Sequence, residues 1–363
     1  MISTTLLLAQ SDIHQVLRSA GHDQVMDRMI ERLHTAFVAY DTAEAVTPAR
    51  QGFLTGTDRA GVLEWMPHHD PGQAITIKTV SYAPMNPARF GLPTILGTIA
   101  RFDDETGHMV GLCDGVLPTA VRTGAASAVA TRLFARPDSK VVGLVGAGAQ
   151  AVTQLHALSR VLDIEEVLVH DTAPDHSASF AARVGFLGLD ISVVPLAELE
   201  ARADVICTAT SVDVGQGPVL DGRNLREHVH VNAIGADLPG KFEVPSQVLK
   251  NAFVCPDHVE QALREGECQQ LETDDLGPSL PRVCANPRLA KGAQDGWSVF
   301  DSTGFALEDH VAFDVFHEFA RQYGIGRKVN IESVPGDSHN PYGDVLHEAP
   351  TTGITAQRLA AQH

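Results

Sequence analysis

The feature that most constrains the fold is a short apolar segment that leads directly into a glycine-rich turn. Val141–Val145 is continuously apolar, as expected for a strand buried inside a parallel sheet. The next residues, Gly146-Ala147-Gly148-Ala149-Gln150-Ala151, have the form G-x-G-x-x-A. Gly146 permits a tight turn, Gly148 lets a pyrophosphate reach the backbone, and Ala151 lets helix and strand pack closely. The segment therefore predicts a strand, a turn and a helix whose N-terminus binds the phosphates of a dinucleotide.

A second apolar segment, Glu166–His170, is followed by an acid that bears on the choice of dinucleotide. Asp171 lies about 20 residues after the turn, where an acid can hold the ribose hydroxyls of NAD. No arginine adjoins Asp171 in the sequence to receive a 2′-phosphate, so NAD is predicted rather than NADP. The alternative is a glycine turn in an α/β fold that binds no nucleotide, because G-x-G-x-x-A alone is weak evidence.

The segments that follow residue 130 alternate between strand-like and helical patterns. Further apolar runs lie at Val205–Thr208 and at residues 229–234 and 252–254. Strands that alternate with helices are typical of a doubly wound parallel sheet. We therefore predict an α/β fold with a Rossmann-type, NAD-binding domain over residues 131–314.

The first third of the chain predicts a different, α+β domain. Its strand-like segments are residues 61–66, 74–81, 94–102 and 108–113. The last two are joined by a short loop that contains a glycine, which is typical of a hairpin and so of an antiparallel sheet. Helices are predicted within residues 12–40, 122–136 and 315–330. This domain is predicted to span residues 1–130, completed by 315–335, with a polar, mobile tail over 336–363.

Charge and length exclude several classes of partner. The chain of 363 residues carries a net charge of −18, which repels phosphate backbones and anionic membrane surfaces. The first residues lack the basic start of a signal peptide, and no apolar run is as long as a membrane span. We expect a cytoplasmic protein that binds neither nucleic acid nor membranes.

The cysteines and histidines do not form metal-binding patterns. There are five cysteines, an odd number, and none are spaced as C-x-x-C, so free buried thiols are predicted. The 17 histidines include no H-E-x-x-H. No metal site is expected.

Four charged residues of the first domain have apolar or small neighbours in the sequence. They are Arg50, Glu64, Lys78 and Arg122. Taken singly, each favours a position facing solvent, because charges are rarely buried without a partner. Taken together, three cations and one acid suit an amino acid, with the cations on its carboxylate and the acid on an amine. The two hypotheses for these residues are therefore positions that face solvent and a binding site for a small amino-acid substrate.

Asp237 is the corresponding candidate in the second domain. It follows the strand-like segment 229–234 directly. The carboxyl ends of such strands face the cofactor crevice, which makes Asp237 a candidate acid/base. The alternative role is an ordinary helix cap.

Five motifs in combination resemble the ornithine cyclodeaminase/mu-crystallin family, over roughly residues 5–335. They are residues 146–150, Arg122-Thr123-Gly124-Ala125-Ala126, Ile234-Gly235-Ala236-Asp237, Glu265-Gly266-Glu267 and Asp301-Ser302-Thr303-Gly304. Within the family, segments 78–82 and 91–97 are most similar to actinobacterial lysine cyclodeaminases, which make L-pipecolate for natural products.

The resemblance implies a role for each matching residue. Arg50, Lys78 and Arg122 would hold the substrate carboxylate, and Glu64 would bind or polarise the side-chain amine. Asp237 would be the acid/base beside the reacting carbon, and Thr303 would lie near the substrate. The implied NAD contacts are Thr94, Arg122, Gly146, Gly148, Ala149, Gln150, Asp171, Thr210, Ser211, Ile234, Gly235, Ala236, Lys241 and Ser302.

The resemblance also implies a reaction and an assembly. L-Lysine would be converted to L-pipecolate and ammonia, with NAD taking a hydride from the α-carbon and returning it later. Two first domains would join their sheets into a shared barrel and form a homodimer. L-Ornithine, shorter by one methylene, is the alternative substrate. An NAD-dependent amino-acid dehydrogenase and a non-catalytic binding protein are the alternative functions.

Overall fold

The structure is a computed structural model that describes residues 4–56 and 61–343. Within this part of the chain the strands form two seven-stranded sheets. The first sheet contains β1 (Thr5–Leu8), β2 (Gln51–Thr55), β3 (Gly61–Asp70), β4 (Ala74–Tyr82), β5 (Ile95–Asp103), β6 (Met109–Asp114) and β14 (Arg327–Val329). The second contains β7 (Val141–Val145), β8 (Glu166–His170), β9 (Ile191–Val193), β10 (Val205–Thr208), β11 (Val229–Ala233), β12 (Phe253–Pro256) and β13 (Trp297–Asp301).

The first sheet has the order β14-β1-β6-β5-β4-β3-β2. Neighbouring strands from β2 to β6 are antiparallel, as the hairpin pattern predicted. The predicted antiparallel sheet is confirmed for these strands, and β1, which was not predicted as a strand, pairs in parallel with β6. Three helices and four strands separate β1 from β6 along the chain, so no hairpin turn determines the direction of this pair.

The second sheet is wholly parallel and has the order β12-β13-β11-β10-β7-β8-β9. The chain winds outward from β7 first towards β9 and then, through β10, in the opposite direction. The change of direction between β7 and β10 opens a crevice at the carboxyl ends of these strands, where ligands bind in sheets of this type. The glycine turn after β7 lies at this crevice. The predicted Rossmann-type sheet is confirmed, although its edge strand β9 and its interior strand β13 were not predicted.

The helices of the described residues pack around and between the sheets. They are α1 (Gln10–Ala20), α2 (His22–Tyr40), α3 (Asn86–Phe90), α4 (Val116–Phe134), α5 (Ala149–Ser159), α6 (Pro174–Arg183), α7 (Leu196–Arg202), α8 (Ser246–Leu249), α9 (Val259–Glu265), α10 (Leu280–Ala285) and α11 (Ala306–Tyr323). The alanine-rich α4 is buried along most of its length and packs against both α2 and α5. Small side chains allow this close approach on several sides.

The helix predicted over residues 315–330 has different bounds. It begins at Ala306, because the acidic first turn of α11 is buried and helical although it interrupts the apolar pattern. It ends before Gly324, which adopts a left-handed conformation with φ of 65°, and the chain continues as β14. A glycine in this conformation is a common helix terminator.

One large hydrophobic core includes residues from both predicted domains. Phe37 of α2, Val129 of α4, Phe300 of β13 and Phe316 of α11 belong to the same buried cluster. The predicted boundaries at 130/131 and 314/315 fall inside α4 and α11, and the division into domains stays a prediction. The predicted tail lies outside the described residues from position 344 onward.

Two expectations from composition can be compared with the structure. All five cysteines are buried and free, as predicted. Of the helices in the described ranges, none is both long enough and apolar enough to cross a bilayer.

Candidate active site

The glycine turn has the shape that close approach of a phosphate requires. Gly146 has φ of 93°, and a Cβ at this position would lie 2.6 Å from the carbonyl oxygen of Ala209, so only glycine fits. A Cβ on Gly148 would meet open space instead. The exposed Ala149 begins α5 and the half-buried Gln150 follows it, so the first backbone amides of the helix face this opening. The turn can therefore accept a pyrophosphate at a helix N-terminus.

Asp171 lies beside this turn at the end of β8. Its two carboxylate oxygens accept hydrogen bonds from the backbone amides of Ala147, at 2.7 Å, and of Ala173, at 2.8 Å. A carboxylate oxygen has a second lone pair, so these bonds leave acceptor capacity for ribose hydroxyls. Arg183, which is distant from Asp171 in the sequence, also reaches the turn, where it donates to the carbonyl oxygen of Ala147 at 2.7 Å.

The loops after β10, β11 and β13 complete the crevice edge. Thr210 and the exposed Ser211 follow β10, and the segment from Ile234 to Asp237 follows β11. Ser302 follows β13 and donates its backbone amide to the carbonyl of Ala233. The buried hydroxyl of Ser302 has no hydrogen-bond partner among the described residues. An unpartnered buried polar atom at this edge is consistent with a ligand that supplies the missing bond.

Asp237 and Lys241 form an ion pair that also touches the first sheet. The ammonium nitrogen of Lys241 lies 2.8 Å from Asp237 Oδ1, and it lies 4.9 Å from the centre of the Tyr82 ring on β4. Burial opposes the charge on Lys241, but Asp237 and Tyr82 raise its pKa. Ile95, next to the half-buried Thr94, packs into the cluster that contains Leu238. The Asp237 loop therefore contacts the strands that carry Lys78 and Glu64.

The four charged residues singled out in the sequence are buried. Arg50, Glu64, Lys78 and Arg122 are between 1% and 6% exposed. Arg50 immediately precedes β2, Glu64 lies on β3, Lys78 lies on β4 and Arg122 lies on α4. The alternative in which each faces solvent is wrong. Charges buried to this extent need partners, which the structure supplies.

Arg50 is surrounded by acceptors from three parts of the chain. Its Nη1 lies 3.2 Å from Glu64 Oε2, its Nε lies 2.6 Å from Glu265 Oε1, and its Nη2 donates to the carbonyl oxygen of Thr303. Burial alone would lower the pKa of Arg50, but Glu265, Glu64 and Asp237 raise it. Arg50 and Glu64 therefore lie in direct contact, and the Asp237 carboxylate acts electrostatically on the same guanidinium.

Lys78 and Arg122 share an acid that was not predicted. Asp309 Oδ1 lies 2.9 Å from Lys78 Nζ and 3.3 Å from Arg122 Nε. Arg122 Nη1 also donates to Glu308 at 2.6 Å. Burial lowers the pKa of Lys78 to about 8, although Asp309 partly opposes the shift. Arg122 and Arg50 lower the pKa of Lys78 further, and the shared carboxylate of Asp309 places Lys78 and Arg122 close together.

Thr303 and Gly304, which follow β13, also contact residues of this site. The Thr303 hydroxyl donates to Asp257 at 2.9 Å and accepts from Gln261 at 2.7 Å. Gly304 is required beside them, since a Cβ there would lie 2.3 Å from Arg122 Nη1. The motif after β13 therefore places both Thr303 and Arg122.

Sequence reasoning missed several residues that hold the cations. They are Asp257, Gln261, Glu308 and Asp309, and no role was given to Glu265. A signal for two of them was present, since Glu308 precedes the buried Ala312 and Val315 at helical spacing, and Asp309 precedes Phe313 and Phe316 in the same way. Acids in the apolar rows of a helix are buried and need cations.

One group of potential metal ligands lies away from this site. Ligand atoms of His22, Asp23 and His156 lie within 4.8 Å of one another. Asp23 already accepts from His156 at 2.9 Å and pairs with Arg160 at 3.2 Å. A guanidinium beside the carboxylate opposes a second cation. The absence of a metal site stays a prediction.

Comparison with known proteins establishes the family. Residues 10–323 match the model of the ornithine cyclodeaminase/mu-crystallin family, and the chain belongs to this family. The resemblance carried by the sequence motifs is thereby confirmed.

Individual relatives cover nearly the whole chain. An L-lysine cyclodeaminase from Streptomyces rapamycinicus is 51% identical, over 93% of this chain and 99% of its own. A solved lysine cyclodeaminase, described in terms of recognition of L-lysine, L-ornithine and L-2,4-diaminobutyric acid, is 55% identical with a TM-score of 0.91, covering 93% and 99% of the two chains. An archaeal alanine dehydrogenase, solved as a dimer with NAD, is 32% identical with a TM-score of 0.78, covering 90% and 99%.

Proposed function

We propose that the protein is an L-lysine cyclodeaminase, which converts L-lysine to L-pipecolate and ammonia with NAD that is not consumed. The observation that carries the proposal is the buried cluster of Arg50, Lys78 and Arg122 beside Asp237, at the crevice edge of a dinucleotide-binding sheet. The similarity to lysine cyclodeaminases over nearly the whole chain supports the choice of reaction.

The cations would hold the substrate carboxylate. Arg50 and Arg122 offer guanidinium groups suited to a carboxylate, and Lys78 adds a point charge between them. Their present partners are carboxylates of the chain itself, so a substrate carboxylate would meet groups that already lie in the required orientation. Thr303 would lie against the bound substrate.

Acids on the other side would hold the amines. Glu64 and Glu265 both reach Arg50, and Glu265 also pairs with Arg264 at 3.3 Å. Glu64 keeps further acceptor capacity, so the distal ammonium of lysine would bind to it. A substrate without a distal amine would lack this contact, which favours a basic amino acid over alanine.

Asp237 would move the protons. A hydride can leave the α-carbon only when the α-amine is uncharged, so a base must first take a proton from the substrate ammonium. Asp237 is partly exposed to the crevice and is held by Lys241, which fixes its position without burying it. The same carboxyl group would return a proton when ammonia leaves.

The crevice fits NAD at three places. Gly148 leaves room for the pyrophosphate, Asp171 retains acceptors for the ribose, and the buried Ser302 hydroxyl has an unmet hydrogen bond. We propose further NAD contacts at the start of α5 and in the loops after β10 and β11, together with Thr94 before β5: Thr94, Ala149, Gln150, Thr210, Ser211, Ile234, Gly235, Ala236 and Lys241. When bound, NAD supplies reversible hydride transfer at the α-carbon.

The direct test is to incubate the purified protein with NAD and L-lysine. Ammonia and L-pipecolate should form in equal amounts without accumulation of NADH. Asp237→Asn should retain NAD binding and lose most turnover. Near-normal turnover in this variant would show that the proposed acid/base role is wrong.

Two other functions make different predictions in the same assay. L-Ornithine in place of lysine would give L-proline, and the ratio of the two kcat/KM values decides the preferred substrate. An amino-acid dehydrogenase would accumulate NADH in proportion to product, whereas a non-catalytic binding protein would bind NAD with no turnover.

We also propose that two chains form a homodimer through the β2 edge of the first sheet. Phe53 and Leu54 on this edge strand are 65% and 78% exposed, and exposed apolar edge strands readily pair with another chain. The dimer of the archaeal relative supports this assembly. Leu54→Lys should shift the mass measured by light scattering from dimer to monomer, whereas Val193→Lys, on the exposed edge of the other sheet, should not.

The remaining expectations have indirect support. The similarity to actinobacterial enzymes that make L-pipecolate favours a role in natural-product or antibiotic biosynthesis. The net charge of −18 disfavours nucleic-acid and membrane partners, and the five free, buried cysteines favour a reducing cytoplasm. The first sheet with α11 forms the substrate-binding and dimerisation part in this proposal, and the parallel sheet forms the NAD-binding part.

A further inference from the structure

The inference concerns Glu243, a fully buried acid that no sequence motif singled out. Its Oε1 accepts hydrogen bonds from the backbone amide of Thr210 at 2.7 Å and from the Thr210 hydroxyl at 2.6 Å. Its Oε2 accepts from the backbone amide of Gly235 at 2.8 Å. One carboxylate therefore joins the loop after β10 to the loop after β11.

We propose that Glu243 is a positioning residue, which fixes these two loops relative to each other so that NAD and Asp237 meet in the productive arrangement. The inference rests on the proposed function, because it takes the two loops to be cofactor-binding. It adds a residue and a physical task to that function.

The backbone is shaped around this carboxylate. A Cβ on Gly235 would lie 2.3 Å from Glu243 Oε1, so the loop after β11 can approach only because residue 235 is glycine. On the other side, a Cβ on Gly146 would lie 3.0 Å from Cγ2 of Thr210. Glu243 thus holds Thr210 against the glycine turn and holds Gly235 two residues before Asp237.

Glu243 is itself held by a second buried acid. Glu267 Oε1 accepts the backbone amide of Glu243 at 2.7 Å, and Glu267 Oε2 accepts that of Val244 at 3.2 Å. Asp301, at the end of β13, accepts the amide of Cys268 at 2.8 Å. Asp301, Glu267 and Glu243 therefore form a series of buried acids, each of which accepts a backbone amide. The series connects the end of β13, next to Ser302, with the loops after β10 and β11. Glu243 is the member that touches the crevice loops.

The hydrogen-bond pattern explains why this residue must be a carboxylate. Each of its oxygens faces at least one N–H donor, and both are acceptors only when the group is ionised. A glutamine would turn an NH₂ group towards one of the two backbone amides, and one loop would lose its acceptor. The shape of the side chain would hardly change.

The test compares Glu243→Gln with Glu200→Gln as a matched control. Glu200 is equally buried and also accepts two backbone amides, those of Asp221 and Gly222, but it accepts both on Oε1, in the later part of the β10–β11 connection. For both variants the melting temperature, the Kd for NAD by calorimetry, and kcat and KM for lysine should be measured. Glu243→Gln should melt at lower temperature than the wild type, whereas Glu200→Gln can keep its amide oxygen on both donors and should melt close to the wild type. Only Glu243→Gln should raise the Kd for NAD, by roughly 10-fold to 100-fold, and lower kcat, because an unmet charged hydrogen bond is costly.

Glu267→Gln provides a second variant if Glu243→Gln is not soluble. It removes the support of Glu243 and should weaken NAD binding in the same direction by a smaller factor. The inference is overturned if NAD affinity and kcat of the soluble variants equal those of the wild type, or if Glu200→Gln changes them to the same extent. A wild-type protein that neither binds NAD nor forms product would instead overturn the proposed function.

Discussion

The two sheets of the molecule bury acids in different surroundings. Beside the first sheet, Glu64, Glu308 and Asp309 contact Arg50, Arg122 and Lys78. Beside the parallel sheet, Glu243, Glu267 and Asp301 accept backbone amides. Both sets are almost fully excluded from solvent.

The difference separates two tasks. A cation paired with an internal carboxylate can exchange that partner for a carboxylate or amine of a ligand, so the first set suits recognition of a charged substrate. A carboxylate that accepts backbone amides holds loops in place and offers no exchangeable cation. The first arrangement selects a ligand, and the second shapes the crevice in which NAD would lie.

The substrate side should be the more sensitive to loss of one acid. Asp309→Asn leaves Lys78 and Arg122 with a neutral neighbour in place of a shared carboxylate. We expect the free energy of unfolding to fall by about 3–5 kcal/mol, because a buried ion pair is broken. We expect kcat/KM for lysine to fall about 100-fold, because both cations lose their orientation. Urea titration and steady-state kinetics measure the two effects.

Asp314→Asn serves as the control on the same helix. Asp314 pairs with Arg101 at 2.9 Å, outside the proposed site. This variant should lose stability while it retains turnover. Equal turnover in the Asp309 and Asp314 variants would remove the distinction between the two kinds of buried acid.

NAD binding should depend on the open space beside the backbone of Gly148. Gly148 has an ordinary φ of −80°, and a Cβ there meets no atom of the protein, so Gly148→Ala should fold normally. The added methyl group would occupy the space of the pyrophosphate and raise the Kd for NAD at least about 10-fold. Calorimetry with NAD and a thermal melt test both statements. Gly185→Ala, also in open space, should change neither quantity. Unaltered NAD affinity in Gly148→Ala would argue against a phosphate site at the turn.

Cation pairing on the substrate side should also produce a pH dependence. Burial lowers the pKa of Lys78 to about 8, so the ammonium that binds the substrate carboxylate is lost as the pH rises through that value. In the wild type kcat/KM should fall about 10-fold one pH unit above 8, relative to Lys78→Arg, whose guanidinium stays charged. A constant ratio of the two proteins' kcat/KM from pH 7 to 10 would contradict this assignment.

The acids that accept backbone amides should make the free energy of unfolding, more than turnover, depend on pH. Burial raises the pKa of Asp301 from 3.8 to about 7, so the folded state keeps a proton that the unfolded chain has lost. Ionisation of Asp301 therefore costs stability as the pH rises between those two values, by at most about 1.4 kcal/mol per pH unit. Asp301→Asn cannot ionise, so its unfolding free energy relative to the wild type should increase from pH 4 to pH 7. A difference that does not vary with pH would show that Asp301 is already ionised at pH 4.

The parallel sheet was the more predictable region. Three of its strands have the predicted bounds, because the interior of a strand that is buried on both faces is apolar. The strand Trp297–Asp301 was missed, since Ser298 inside it and Asp301 at its end interrupt the apolar run, and the short edge strand Ile191–Val193 was missed as well. The glycine turn was recognised because its spacing reflects local backbone geometry.

The substrate site was predictable only in part. Arg50, Glu64, Lys78 and Arg122 were recognised because they are charged residues with apolar neighbours in the sequence. Their burial was not predicted, since a position facing solvent was the more probable one for each residue taken alone. Their partners Glu265, Glu308 and Asp309 lie on helices far away in the sequence. Residues separated by up to 231 positions, as Lys78 and Asp309 are, carry no shared local pattern.

By itself the sequence determined the parallel sheet, its glycine turn and the family, because periodicity and short motifs depend on neighbouring residues. The tertiary structure decided which acid meets which cation and which loops Glu243 joins. These contacts depend on how distant segments pack. A buried charge without a partner is costly, but this cost arises only once folding has removed the group from water.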